Sequence, residues 1–216
     1  MKKTSKLFAL FLALSLVALS FTGCFKQKPE AFVEDVLKGV QEYDEDTIST
    51  YFPDNDLESQ LASGEGEDDL QLTDEQNATL KEIIKTICTG MTYEIKETTQ
   101  DGNSATVQVA ITNKDLTAVM NAMLSEMFSA ALASAFSSDE EMSDEALATL
   151  MFDSIKKNLA SDSISTVTTT VNVKLVYQDK AWAIQNRDEL ETAIMGGFNA
   201  ETWAEGINQA TENIAS

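Results

Sequence analysis

Residues 164–186, ISTVTTTVNVKLVYQDKAWAIQN, decide the fold that this sequence predicts. The segment alternates a mainly apolar set of residues with polar neighbours, which is the period of a strand with one buried face. Asp179 and Lys180 then form a turn, and Trp182 and Ile184 begin a return strand. The length of the first strand predicts a central place in a curved antiparallel sheet. Its mainly apolar set is Val167, Thr169, Val171, Val173, Leu175 and Tyr177.

A second hairpin is predicted upstream. The segments MTYEIKETT, 91–99, and SATVQVAIT, 104–112, flank the turn residues Asp101, Gly102 and Asn103. Tight turns join antiparallel strands, so the two hairpins predict an antiparallel sheet of about four strands. One face of this sheet must be covered by helices. The residues of the second segment on that face are Ala105, Val107, Val109 and Ile111.

Helices are predicted before, between and after the hairpins. Pro29 suits the first position of a helix whose apolar residues recur at helical spacing. The order is helices, hairpin, helical pair, hairpin and helix, which predicts an α+β fold. Three pairs predict capping boxes at helix starts: Thr73 with Gln76, Ser138 with Glu141, and Asn186 with Glu189.

The predicted helix at 116–136 is apolar or small on almost every side. Its single charged side chain is Glu126. A second membrane span and a buried helix are the two interpretations, and the polar residues Asn121, Ser125 and Glu126 near its middle favour the buried helix. The pair of helices within 114–160 is therefore expected to cover the sheet.

The N-terminus has the layout of an export signal. Lys2, Lys3 and Lys6 precede the apolar run LFALFLALSLVALSF at residues 7–21. As a helix this run would rise roughly 22 Å, which is less than the ~30 Å hydrocarbon core of a bilayer. The run is thus better suited to transient insertion than to a permanent span.

The run ends in FTGC, residues 21–24, which resembles the lipobox of bacterial lipoproteins. That family prefers Leu at the position of Phe21. The resemblance implies cleavage between Gly23 and Cys24 and a diacylglyceryl group on the Cys24 sulfur. An uncleaved anchor helix and an ordinary secretory signal are the alternatives. The lipoprotein interpretation predicts a lipid-anchored protein at the extracytoplasmic face of the cell membrane.

The predicted organisation follows from these segments. One domain is expected because about 190 residues remain after the signal, enough for one buried core. The parts are a lipoprotein signal peptide at 1–23, a lipidated tether at 24–28, an α+β domain at 29–198 with the helical pair at 114–160, and a C-terminal helical extension at 199–216.

Charge and cysteine content limit the function classes. Residues 1–23 hold three lysines and no acid, so the remaining chain has 12 basic and 36 acidic side chains and a formal net charge of 12 − 36 = −24. Binding to nucleic acid is not expected, because it needs clustered Lys and Arg. With Cys24 lipidated, Cys88 has no disulfide partner in the chain and is expected to be a small buried residue.

The acidic segment 54–69 raises the question of a calcium site. Asp54 and Asp56 could begin an EF-hand loop, but Ser59 stands where such a loop needs glycine. A solvated loop is therefore preferred to a metal site.

Catalytic motifs were sought in the same way. The chain has no histidine, which excludes His-based triads and the commonest zinc ligand. Ser154 and Lys157 match an S-x-x-K pattern, but no K-T-G follows, and the match is interpreted as chance.

The segments ATVQVAITN, 105–113, and VYQDKAWAIQN, 176–186, resemble small lipoproteins of Firmicutes with an NTF2-like or cystatin-like domain. The resemblance implies a curved sheet wrapped on a helix, often around a pocket. The preferred function is a non-catalytic module, without a cofactor, that binds a small molecule, a peptide or an envelope partner. The alternative is an NTF2-like enzyme that uses a carboxylate and a tyrosine. The expected pocket residues are Phe32, Tyr93, Tyr177 and Trp182.

Overall fold

The computed structural model describes residues 26–52, 72–137 and 143–200, together with residues 202, 203 and 205. The predicted signal peptide, Cys24 and the acidic segment 54–69 lie outside these residues. The described helices and strands are α1 (Pro29–Gln41), α2 (Glu45–Tyr51), α3 (Asp74–Gly90), β1 (Thr92–Asp101), β2 (Ser104–Lys114), α4 (Leu116–Ser137), α5 (Asp144–Leu159), β3 (Thr166–Gln178), β4 (Ala181–Ile184) and α6 (Arg187–Ile194).

The four strands form one sheet in the order β1-β2-β3-β4, and every neighbouring pair is antiparallel. The prediction of an α+β fold with a helical pair between two hairpins is confirmed. Strand β3 is an inner strand, as its length predicted, and pairs with β2 from Thr166 opposite Lys114 to Val176 opposite Ser104. Strand β1 has an irregular register between Ile95 and Glu97.

One face of the sheet carries the core. Val107 lies opposite Val173, and Val109 lies opposite Val171, with all four side chains buried. Helix α1 packs against β1 and β2, and α6 packs against β2 and β3. The other face of β3 is exposed, because the strand alternates at every residue. Its exposed residues are Thr166, Thr168, Thr170, Asn172 and Lys174.

The helix starts confirm one of the three predicted capping boxes. The Thr73 hydroxyl accepts from the Gln76 backbone N–H at 3.2 Å, and the Thr73 N–H donates to the Gln76 side chain at 2.9 Å. Ser138 and Glu141 lie outside the described residues, and the cap of α5 is Ser143, whose hydroxyl accepts from the Ala146 N–H. The predicted start of α5 is thus wrong by about one turn.

The predicted cap at Asn186 is also wrong. The Asn186 side chain accepts from the Lys174 N–H at 2.8 Å and donates to the Asn172 carbonyl at 2.9 Å, and it also donates to Glu189. Its amide therefore continues the edge of β3 beyond β4, where strand groups would otherwise lack partners. The sequence pattern of a cap and that of a strand extension are the same here.

Helix α4 has two different halves. Its first half is buried through Leu116, Val119, Met120 and Met123, which confirms the predicted packing role of the methionines there. Its second half exposes Phe128, Leu132 and Phe136. The expectation of a helix buried along its whole length is therefore wrong. On α5 the predicted inward residue Leu147 is exposed, and Phe152 is buried instead.

Candidate functional site

The four predicted pocket residues divide between different contacts. Phe32 is buried, and its ring meets that of Tyr51 edge to face at 5.5 Å between centroids. Tyr93 is half-buried on β1, and its hydroxyl donates to the Glu34 carbonyl at 3.5 Å. Tyr177 and Trp182, by contrast, are cross-strand partners whose ring centroids lie 5.2 Å apart.

The Tyr177–Trp182 pair holds the segment that follows Cys24. The Lys26 ammonium lies 4.4 Å from the Tyr177 ring centroid and 4.3 Å from the Trp182 ring centroid. The same group donates to the Gly102 carbonyl at 2.7 Å. A cation over an aromatic face contributes about 0.5–1 kcal/mol at an exposed site. Lys26 is therefore directed to the end of the sheet rather than to solvent.

Gln27 completes this contact. Its carbonyl accepts from the Trp182 indole N–H at 2.7 Å, and its side-chain amide donates to Asp35 at 2.7 Å. Trp182 is 4% exposed, so its N–H needs a partner inside the protein. The residues Lys26, Gln27, Gly102, Tyr177 and Trp182 are called the tether clamp below.

The two hairpin turns bring the tether clamp together. Gly102 has φ +56°, which favours glycine, and the Asn103 carbonyl accepts from the Tyr177 N–H at 2.7 Å. Asp179 and Lys180 both have positive φ, as in the two-residue hairpin turns that match strand twist. Both turns thus lie side by side at one end of the sheet.

Lys26, Gln27 and Gly102 were missed in the sequence. Gln27 and Trp182 are 155 positions apart, and no local pattern connects them. The usable signal was chemical, because a buried indole N–H needs an acceptor, and the first residues of the domain are close to the sheet only if the predicted tether is short. Lys26 and Lys28 beside the anchor would favour lipid headgroups. The clamp instead engages Lys26, and Lys28 remains exposed.

The S-x-x-K residues have a structural role. Glu126 of α4 accepts from the Ser154 hydroxyl at 2.9 Å and from the Lys157 ammonium at 2.8 Å. The hydrogen bonds from Lys157 and Ser154 lower the pKa of Glu126 below its ordinary value of 4.5. This cluster joins α4 to α5, which explains the charged residue on an otherwise apolar helix.

The other shifted groups do not favour carboxylate and tyrosine chemistry. Burial raises the pKa of Tyr93, and the acidic Glu34, Asp35 and Glu42 raise it further. Such a tyrosine is harder to ionise. Burial raises the pKa of the Cys88 thiol to about 12, so Cys88 is an unreactive core residue, as expected. Within the described ranges, no cluster of three or more His, Cys, Asp or Glu side chains is arranged to hold a metal ion.

Helix α4 also meets the length and hydropathy of a membrane span. Residues Leu116–Ser134 have a mean hydropathy of 1.3, and 22% of the most apolar window is buried in the domain. A core helix passes the same test, and the burial of its first half accounts for part of this composition.

Comparisons with protein-family models, with curated proteins and with solved structures found no match for this chain. The function is therefore argued from the geometry of the described residues.

Proposed function

We propose that this protein is an extracytoplasmic lipoprotein whose domain is held in one orientation by the tether clamp. The observation that carries the proposal is the fixed position of Lys26 and Gln27 at the end of the sheet. Cys24 precedes Lys26 by two residues, which span at most about 7 Å. A diacylglyceryl group on Cys24 would therefore hold the two hairpin turns at the membrane surface.

Two acyl chains make such an anchor effectively stable, because each buried methylene contributes about 0.8 kcal/mol and one chain alone binds only marginally. The formal net charge of −24 after residue 23, from 12 basic and 36 acidic side chains, supports the same arrangement. An anionic bilayer repels such a domain, so contact with lipid is confined to the anchored end.

We infer that the domain is a non-catalytic binding module that presents the exposed face of its sheet. Phe32 and Trp182, which were expected to line a pocket, are used in the core instead. The exposed face carries hydrogen-bonding side chains, including a Thr112–Thr168 hydroxyl pair at 2.7 Å. Such a surface suits a polar peptide or an envelope partner. Kinship with the NTF2-like domains is part of this proposal, supported by α1 on an antiparallel four-stranded sheet.

Radioactive palmitate labelling and membrane fractionation of whole cells test the anchor. We expect Cys24→Ala to lose the label and to leave the membrane or stay unprocessed. The matched control is Cys88→Ala, which removes the other cysteine and should keep the label. Normal processing and membrane retention of Cys24→Ala would sink the lipoprotein proposal.

A photo-cross-linking amino acid tests the binding face. Placed at Thr170, on the exposed face of β3, it should capture an envelope partner in living cells. Placed at Lys85, on the exposed side of α3, it should not. Equal capture at both positions would contradict the assignment of the sheet face.

A further inference from the structure

The second half of α4 exposes a row of large apolar side chains. Phe128, Leu132 and Phe136 are 66%, 44% and 87% exposed and are spaced by four residues. They form the α4 stripe. At about 100° per residue, Asn121 lies on the same side of the helix, opposite the buried Met120 and Met123.

The chain after α6 runs along this side of α4. Gly196 lies against the Lys114 carbonyl, where a Cβ would find no room. Further on, the Trp203 indole N–H donates to Asn121 at 3.1 Å, and its ring contacts Phe198 at 5.9 Å. The path therefore passes from the start of α4 to Asn121 and points toward the α4 stripe.

The sequence that follows matches the stripe in pattern and length. Trp203, Ile207, Ala210 and Ile214 are spaced by four, three and four residues, as on one side of a helix. Residues 200, 202, 203 and 205 are already helical. From Trp203 to Ile214 a helix rises roughly 16 Å, the same distance as from Asn121 to Leu132 along α4.

We propose that residues 206–216 dock as an amphipathic helix on the α4 stripe, parallel to α4, with Ile214 beside Leu132. The proposal goes beyond the anchor and does not depend on it. Docking covers Phe128 and Leu132 and leaves Phe136 beyond the last turn.

Charge and area favour this occupant over a membrane or a second copy. Helix α4 contains no Lys or Arg, whereas surface-binding amphipathic helices use such residues on anionic lipid. A stable dimer buries about 800 Å² per partner, more than three side chains provide. A segment joined to the same chain has a high effective concentration and needs less area.

Disulfide formation in the full chain tests the register. Every chain carries Cys24→Ser, and Cys88 is buried. The pair Leu132→Cys and Ile214→Cys should cross-link within the chain at least about tenfold faster than Ala133→Cys and Ile214→Cys, because Ala133 is exposed but lies off the stripe. Equal rates would overturn the proposal, as would a predominance of cross-links between two chains.

Thiol labelling gives a second measurement that needs no pair. Leu132→Cys should react with a water-soluble maleimide about tenfold faster when the chain stops after Glu205, because the tethered cover is lost. An unchanged rate contradicts docking. Protection of this thiol only after addition of phosphatidylcholine–phosphatidylglycerol vesicles assigns the stripe to a membrane and also overturns the proposal.

Discussion

The two ends of the molecule treat large aromatic side chains in opposite ways. At the tether clamp, Trp182 is 4% exposed and its indole N–H has a partner in the segment after Cys24. In the second half of α4, Phe136 is 87% exposed. Both residues lie in apolar segments of the sequence, and their difference comes from the parts of the chain that reach them.

This difference shows what burial depends on in this fold. Trp182 is covered because β3, β4, the β1–β2 turn and the N-terminal segment meet at one point. Phe136 lies on a helix whose side toward α5 is already satisfied by Glu126, Ser154 and Lys157. A row of apolar residues on the other side then needs a separate partner.

Replacing Trp182 should have the largest effect on stability. Trp182→Ala removes a core ring and leaves a cavity, so we expect a loss of about 3–5 kcal/mol in the free energy of unfolding. Urea denaturation followed by circular dichroism measures this loss. A loss below about 1 kcal/mol would show that the ring does not belong to the core.

Trp182→Phe sharpens the result. It keeps an aromatic ring but removes the N–H that bonds to the Gln27 carbonyl. The buried carbonyl then loses a partner, and we expect a smaller cost of about 1–3 kcal/mol. Similar losses for both substitutions would deny the indole hydrogen bond a role.

Lys26→Ala should cost less. It removes a hydrogen bond to Gly102 and contacts with two rings at a half-buried position, together about 1 kcal/mol. The matched control is Lys28→Ala, whose exposed ammonium lies 3.9 Å from Glu30 and should contribute little. Equal urea midpoints for the two variants would break the distinction between a clamped and a free lysine.

The Glu126 cluster should add to acid sensitivity. Its pKa is lowered in the folded protein, so its contribution is present above its unfolded pKa and lost as pH falls through the folded pKa. Glu126→Gln should therefore flatten the loss of stability below about pH 4.5, measured as urea midpoints over a pH series. An unchanged pH profile, relative to the exposed control Glu97→Gln, would contradict this assignment.

Phe136→Ser should have the smallest effect. Its side chain is 87% exposed, and surface substitutions usually change stability by no more than about 0.5 kcal/mol. A loss above about 1 kcal/mol in urea denaturation would reveal a partner at this position and make the two ends of the molecule more alike.

Much of the fold could be predicted, because its signals are local. The alternation in β2 and β3 and the capping box at Thr73 depend on residues close in sequence. Only part of the site could be predicted. Tyr177 and Trp182 were identified as a site by their strand pattern, but Lys26 and Gln27 meet them only through long-range contacts. Leu147 followed the helical pattern and is nevertheless exposed.

The sequence by itself determined which segments become strands and helices, since hydrophobic period, turns and caps act over a few residues. It also determined the acidic charge that argues against nucleic acid. The tertiary structure alone decided that Asn186 extends a strand edge, that Ser154 and Lys157 join two helices, and that Lys26 is held at the end of the sheet. The physical reason is that a polar group takes whichever partner the packed chain brings within reach, and sequence distance does not limit that choice.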